Sequence, residues 1–248
     1  DGLPEQMAFR FDVNLTALAA GPGGLLAGDS DGKLYASSDG ANWSLITQGR
    51  AGFPVRAIEY IDLPDEANGF YLASGGPGEL FFGHPSGLEK LSFPMDDRIT
   101  ALIKAGDGIV YALGDSGNVA SSSNGVQWQL EESLKAREGW LAGKAGGGVT
   151  FFAGRGGQMA VKADKGAVEF LDAGDSMDSR MDLTEIMVMS SGRFVVLATD
   201  GRMLHSKDGG KTWKLENPFD ESRIERFELF PAGDIFLAKT DGTIIQAE

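Results

Sequence analysis

Three of the four tryptophans, Trp43, Trp128 and Trp213, stand 85 residues apart, and each closes the same kind of short turn. The turns read Ser-Ser-Asp-Gly-Ala-Asn-Trp from Ser37, Ser-Ser-Asn-Gly-Val-Gln-Trp from Ser122, and Ser-Lys-Asp-Gly-Gly-Lys-Thr-Trp from Ser206. The repeat extends upstream of the turn: Leu15-Thr16-Ala17-Leu18 matches Ile99-Thr100-Ala101-Leu102, 84 residues later. Such a repeat constrains the fold strongly, because each unit must bury a face against a copy of itself. A step of this length is too long for one supersecondary unit. It fits two units of about 42 residues, in the range of four-stranded propeller blades.

The intermediate copies are present in weaker form. One runs from Arg56-Ala57-Ile58 to Leu91, and another from Gly139-Trp140-Leu141 to Phe170. Within each unit, short apolar or alternating runs are separated by Gly, Asp and Ser turns, with no helical period, which predicts an all-β chain. The clearest unit predicts strands at Ile99 to Ala105, Ile109 to Leu113, Asn118 to Ser122 and Gln127 to Leu130. The 36 glycines are dispersed, as many tight turns require. We therefore expect a single six-bladed β-propeller of four-stranded antiparallel blades spanning residues 1–248. The expected blades are 12–47, 54–93, 97–131, 137–171, 180–216 and 222–248, the last completed by an N-terminal strand at 6–11 that removes an open sheet edge.

The Ser-x-Asp-x-Gly-x-Thr-Trp turn resembles the Asp-box, or bacterial neuraminidase repeat. Ser206 to Trp213 carries it in full; the other two are one residue shorter, and Asn124 replaces the Asp in the middle one. The motif is a self-satisfied hairpin: Ser and Asp side chains bond turn backbone groups, Gly takes a positive φ, and Trp packs between sheets. Ser37, Asp39, Trp43, Ser122, Asn124, Trp128, Ser206, Asp208 and Trp213 are accordingly read as structural, and no catalytic residue is assigned. The resemblance places the turn between a blade's third and outer strands, on the face away from the usual ligand site. Asp-box propellers include sialidases, xyloglucan-type glycosidases, sorting-receptor ectodomains and the photosystem II stability/assembly factor family. The last is closest in style and implies partner binding through an arginine patch. The sialidase branch fits poorly: Phe9-Arg10-Phe11-Asp12 lacks the Ile-Pro of that family's signature. Moreover, Tyr35, Tyr60, Tyr71 and Tyr111 all fall before the late blades where its nucleophile belongs. A glycoside hydrolase with paired carboxylates stays open as the alternative, although no pair is marked by spacing.

Charge narrows the partners. With 22 Lys plus Arg against 36 Asp plus Glu, the net charge of −14 argues against nucleic acid and against docking on an anionic membrane. No run approaches the roughly 20 apolar residues of a membrane-spanning helix. There is no cysteine, and His84 and His205 are the only histidines, so neither metal nor cofactor is expected. The lack of cysteine, the acidic balance and the resemblance lead us to expect a periplasmic, envelope-associated or secreted protein.

A second periodicity falls on arginine. Arg56, Arg98, Arg137, Arg180 and Arg223 recur at steps of 42, 39, 43 and 43 residues, each near the start of an expected innermost strand. Asn14 takes the corresponding place in the first unit. Converging guanidinium groups on one rim of the channel would bind an acidic protein segment or an anionic ligand, a glycan included. Alternatively, each arginine clamps adjacent blades through acids such as Asp96, Asp115, Asp178 or Asp200. From the sequence both readings stand, and the binding module is the expectation.

Overall fold

The structure is a computed structural model, and it describes residues 13–63, 69–174, 181–189, 192–216, 224–229 and 235–247. Its strands form six antiparallel sheets in chain order, five of four strands and one of three. The first sheet holds β1 (Leu15–Gly21), β2 (Gly24–Asp29), β3 (Lys33–Ser37) and β4 (Ser44–Gln48). The second holds β5 (Ile58–Ile61), β6 (Phe70–Ser74), β7 (Leu80–His84) and β8 (Gly87–Lys90). The third holds β9 (Ile99–Lys104), β10 (Val110–Gly114), β11 (Val119–Ser122) and β12 (Gln129–Leu130). The fourth holds β13 (Trp140–Gly146), β14 (Val149–Gly154), β15 (Met159–Ala163) and β16 (Val168–Leu171). The fifth holds β17 (Leu183–Val188), β18 (Phe194–Ala198), β19 (Met203–Ser206) and β20 (Lys214–Glu216). The sixth holds β21 (Ile224–Leu229), β22 (Ile235–Lys239) and β23 (Ile244–Ala247). The segment 6–11, expected to complete the last sheet, lies outside the described residues.

The core lies between sheets. Leu26, Val55, Ile58 and Tyr71 join sheet one to two, and Leu72, Leu80, Ile99 and Val110 join two to three. Tyr111, Leu113, Trp140 and Phe152 join three to four. Phe151, Met159, Leu183 and Phe194 join four to five, and Leu197, Ile224 and Leu237 join five to six. Successive first strands lie side by side. No such cluster joins sheet six to sheet one among the described residues, and Leu18 of β1 and Ile244 of β23 are 62% and 69% exposed.

The Leu-Thr-Ala-Leu repeat has a structural cause. Thr16 Oγ1 donates to Val55 C=O at 2.6 Å, and Thr100 Oγ1 to Trp140 C=O at 2.8 Å, so each threonine ties its innermost strand to the next sheet. A third copy, Leu183-Thr184-Glu185-Ile186, follows another 84 residues on. The strands approach closely there. A Cβ at Gly143 would run into Ile103 of the neighbouring sheet, which would have to shift to admit it.

The tryptophan turns join third to fourth strands in sheets one, three and five. In the first, Asp39 Oδ1 accepts the N–H groups of Ala41 and Asn42 at 2.8 and 2.7 Å, and Gly40 N–H donates to Ser37 Oγ at 2.8 Å. Gly40 sits at φ +75°, and Trp43 Nε1–H donates to Gly40 C=O at 3.0 Å. Asn124 serves as well as Asp: its Oδ1 accepts from Val126 and Gln127 N–H at 3.0 and 2.9 Å. These bonds, led by that from Asn42 N–H, hold the Asp39 carboxyl far below the usual range. Asp208, bonded above all by the Thr212 hydroxyl, is lowered to about 2. Carboxylates so consumed by their own turns have a structural explanation. The fourth tryptophan, Trp140, is fully buried at the start of β13, and its indole N–H donates to Leu134 C=O at 3.0 Å.

Candidate functional site: an arginine cluster over the central cavity

A recurring backbone bond defines equivalent positions at the end of the sheets where first strands begin. Asp115 N–H donates to Arg98 C=O at 3.0 Å, and Arg155 N–H to Gly139 C=O at 2.9 Å. Ser30 to Asn14, Ser74 to Ala57 and Thr199 to Asp182 repeat the bond in sheets one, two and five. The position before the first strand is therefore Asn14, Ala57, Arg98, Gly139 and Asp182 in turn. The evenly spaced arginines do not share this register. Arg98 occupies it, Arg56 precedes it by one residue and Arg137 by two. The links between sheets differ in length, so similar sequence spacing does not produce one structural position. Arg180 and Arg223 lie outside the described residues.

Arg98 is clamped, but within its own sheet. Its Nε donates to Asp115 Oδ2 at 2.7 Å, and its backbone N–H approaches Asp115 Oδ1 at 3.2 Å. Sheet four changes both members of this pair: glycine stands at 139, and an arginine stands at 155 where sheet three has Asp115. Arg155 thus has no side chain opposite it in its own sheet. Its Nε is buried and has no hydrogen-bond partner among the described residues. The connection to sheet five is made instead by backbone, with Gly156 N–H donating to Asp182 Oδ1 at 3.1 Å.

Arg56 completes the cluster. It is exposed at the mouth of the central cavity, and its N–H donates to Ser74 Oγ at 2.9 Å. Its pKa is lowered first by partial burial and then by the Arg98 guanidinium; Arg155 pushes the same way and Asp115 opposes. The cavity holds about 560 Å³ and draws its walls from sheets two to six, among them Thr100, Lys144, Thr184, Glu185 and Phe227. Glu185 is the one carboxylate among its described lining residues, and its Oε2 accepts Phe227 N–H at 2.9 Å. Nearby on β5, burial raises the Glu59 pKa, against the opposing charge of Lys144.

Of the five arginines expected, the structure brings Arg56 and Arg98 within mutual influence and leaves Arg137 exposed on the approach to β13. Arg155 and Lys144 were not anticipated. The signal for Arg155 was available: the corresponding turns carry Asp29, Asp115, Asp200 and Asp241, and this one inverts the charge. Arg56 stands at a cavity with hydroxyl and ammonium walls, and the Arg98 and Arg155 charges act on it. Such a set recognises carboxylate or phosphate oxygens.

No family model matches the chain, and no curated protein matches it in sequence. Solved structures do resemble it. Virginiamycin B lyase from Staphylococcus aureus superposes with a TM-score of 0.77 at 10% identity, covering 98% of this chain and 81% of that one. YCF48 bound to D1 peptide gives 0.68 at 15% identity, covering 96% of this chain and 80% of that one. The WD40 propeller domain of Doa1 gives 0.70 at 16% identity, covering 95% and 79%. Likeness at such identities establishes the fold: the chain is a β-propeller.

Proposed function

We propose that this chain is a six-bladed propeller whose last blade is completed by residues 6–11. On this reading it works as a non-catalytic binding or assembly module that receives an acidic protein segment on its arginine rim. The observation that carries the reading is Arg155. A buried Nε without a partner costs about 1–3 kcal/mol, and a neighbourhood of three arginines adds repulsion that a purely structural role leaves unexplained. An incoming carboxylate relieves the repulsion, and it reaches the Nε once the atoms covering that nitrogen move aside. The protein-binding reading gains support from a propeller of similar fold solved with a bound peptide, YCF48 with D1 peptide. Propellers also host enzymes, as the virginiamycin B lyase shows. Among the described lining residues Glu185 is the one carboxylate, and it is tied to backbone, so that wall adds no support for a glycosidase acid pair.

The test is capture of a fluorescein-labelled hexaglutamate peptide, followed by anisotropy at low and moderate salt. The wild type should bind, more weakly as salt rises. The double variant Arg56→Glu, Arg155→Glu should lose about tenfold or more in affinity while remaining folded. Failure of the wild type to bind, or equal binding by the variant, would sink the proposal.

A further inference from the structure

Sheet six seals one of its faces and leaves the other at the central cavity. On β22 and β23, Leu237 and its partner Ile245 pack toward sheet five. Side chains alternate along a strand, so Phe236, Ala238 and Ile244, which pairs with Ala238, turn the other way. All three line the cavity.

Other sheets show what this face meets elsewhere in the fold. The registers Arg226–Ala238, Ala101–Leu113 and Ala142–Ala153 make the three residues equivalent to Tyr111, Leu113 and Val119 in sheet three. In sheet four the same places hold Phe151, Ala153 and Met159. Both sets are buried against the sheet that follows their own. Ile244, by contrast, is 69% exposed. Sheet one repeats the observation from the other side. Leu18 occupies the place of Leu102 and Ile186, as the registers Leu18–Ala27, Leu102–Ala112 and Ile186–Val196 show. Leu102 and Ile186 are buried against the sheet that precedes their own, whereas Leu18 is 62% exposed. The seam between sheets six and one thus presents apolar side chains to solvent from both sides, at positions the other sheets bury.

The opposite wall of the same cavity determines what can cover this face. Arg56 and Lys144 are the two cations among its described lining residues, and the carboxylate of Glu185 is already bonded to Phe227 N–H. A ligand that meets both walls combines negative charge with a large apolar group. We infer that the acidic segment carries a leucine- or phenylalanine-sized side chain close to its carboxylates, packed on Phe236, Ala238 and Ile244 beside sheet one. The inference rests on the binding reading above and names the class of sequence that site selects. The cavity volume of about 560 Å³ is in the range of small-ligand sites and accommodates such a side chain.

The experiment compares three fluorescein-labelled peptides by anisotropy: hexaglutamate, and the same peptide with phenylalanine or with glycine at its fourth position. The last two carry equal charge. The phenylalanine peptide should bind about tenfold more tightly than the glycine peptide, as burial of part of an aromatic ring requires. Ile244→Ser and Leu18→Ser, both at exposed positions and so compatible with folding, should bring that ratio toward one and leave the glycine peptide unaffected. Equal affinity for the phenylalanine and glycine peptides would overturn this inference; hexaglutamate binding that is lost in the Arg56→Glu, Arg155→Glu variant would then leave the acidic-segment reading standing. Binding of none of the three would sink both. A ratio unchanged by both serine substitutions would overturn the inference by placing the ring elsewhere. Equally tight capture of hexaglutamine carrying the same phenylalanine would do so by showing an apolar site without charge selection. Sedimentation of the free protein supplies the last arm: a dimer that Ile244→Ser dissociates would mean that a second copy covers the face, against the inference.

Discussion

Replacing Arg155 by methionine separates a ligand site from a structural clamp. Methionine keeps the length of the aliphatic stem and removes the guanidinium. In the wild type the buried Nε is unsatisfied among the described residues, and Arg155 acts on Arg56 as a like charge. An unpaired buried donor costs about 1–3 kcal/mol, and loss of favourable polar contacts elsewhere on the guanidinium offsets part of the gain. Arg155→Met should therefore stabilise the fold by about 1 kcal/mol, which raises the melting temperature by about 2–4 °C in a protein of this size. Arg98→Met provides the contrast. It removes the 2.7 Å bond from Nε to Asp115, in a pair whose side chains are 39% and 11% exposed. A charge-assisted bond discounted for that exposure leaves a loss of about 1 kcal/mol. Differential scanning calorimetry at neutral pH, with urea titration as a check, reads both. Opposite shifts support the account. A fall on Arg155→Met as large as that on Arg98→Met would mean that Arg155 holds the sheets together, and the reasoning would be refuted.

Other outcomes follow from the same structure. Gly143→Val places a side chain against Ile103 and should cost about 1–3 kcal/mol by overpacking, measurable in urea; an unchanged midpoint would contradict the close approach of β13 to β9. Trp140→Ala should cost about 3–5 kcal/mol, since a fully buried indole and its bond to Leu134 are both lost. For Asp208, whose folded pKa is lowered to about 2, the unfolded state binds more protons as pH falls below the ordinary carboxylate value. Its contribution is complete above about pH 4 and lost toward pH 2. Asp208→Asn should keep the turn, as Asn124 does, and flatten that part of the acid-unfolding curve. Glu59 has the opposite sign: its folded pKa is raised, so the folded state holds the proton longer and stability falls as pH rises above the ordinary value. Glu59→Gln should remove this fall, whereas Lys144→Met should extend it to higher pH.

Much of the architecture was legible because it repeats. Trp43, Trp128 and Trp213 marked the hairpins, and the strands expected in the third unit fall close to β9, β10, β11 and β12. A hairpin fixed by Ser, Asp, Gly and Trp is a local structure, so local sequence suffices to find it. The site was only half legible. Arg98 and Arg56 came from counting along the chain. Equivalence at the rim is set instead by backbone bonds such as Asp115 to Arg98 and Arg155 to Gly139. Those bonds join residues some 16 positions apart, across links that vary in length. Arg155 carries its charge in a turn where the other sheets carry acids, and its isolation depends on Gly139 lacking a side chain. That combination is a property of a pair, and spacing of one residue type cannot report it.

The central claim concerns a single nitrogen. Arginine Nε–Hε signals can be followed by ¹H–¹⁵N NMR as hexaglutamate is added to the labelled protein, with Arg155→Met identifying the resonance. The account predicts that the Arg155 Nε–H signal moves downfield and saturates as a carboxylate takes up the bond that the described residues leave unmade. A signal that stays in place while the peptide binds elsewhere, or that never responds, would contradict it.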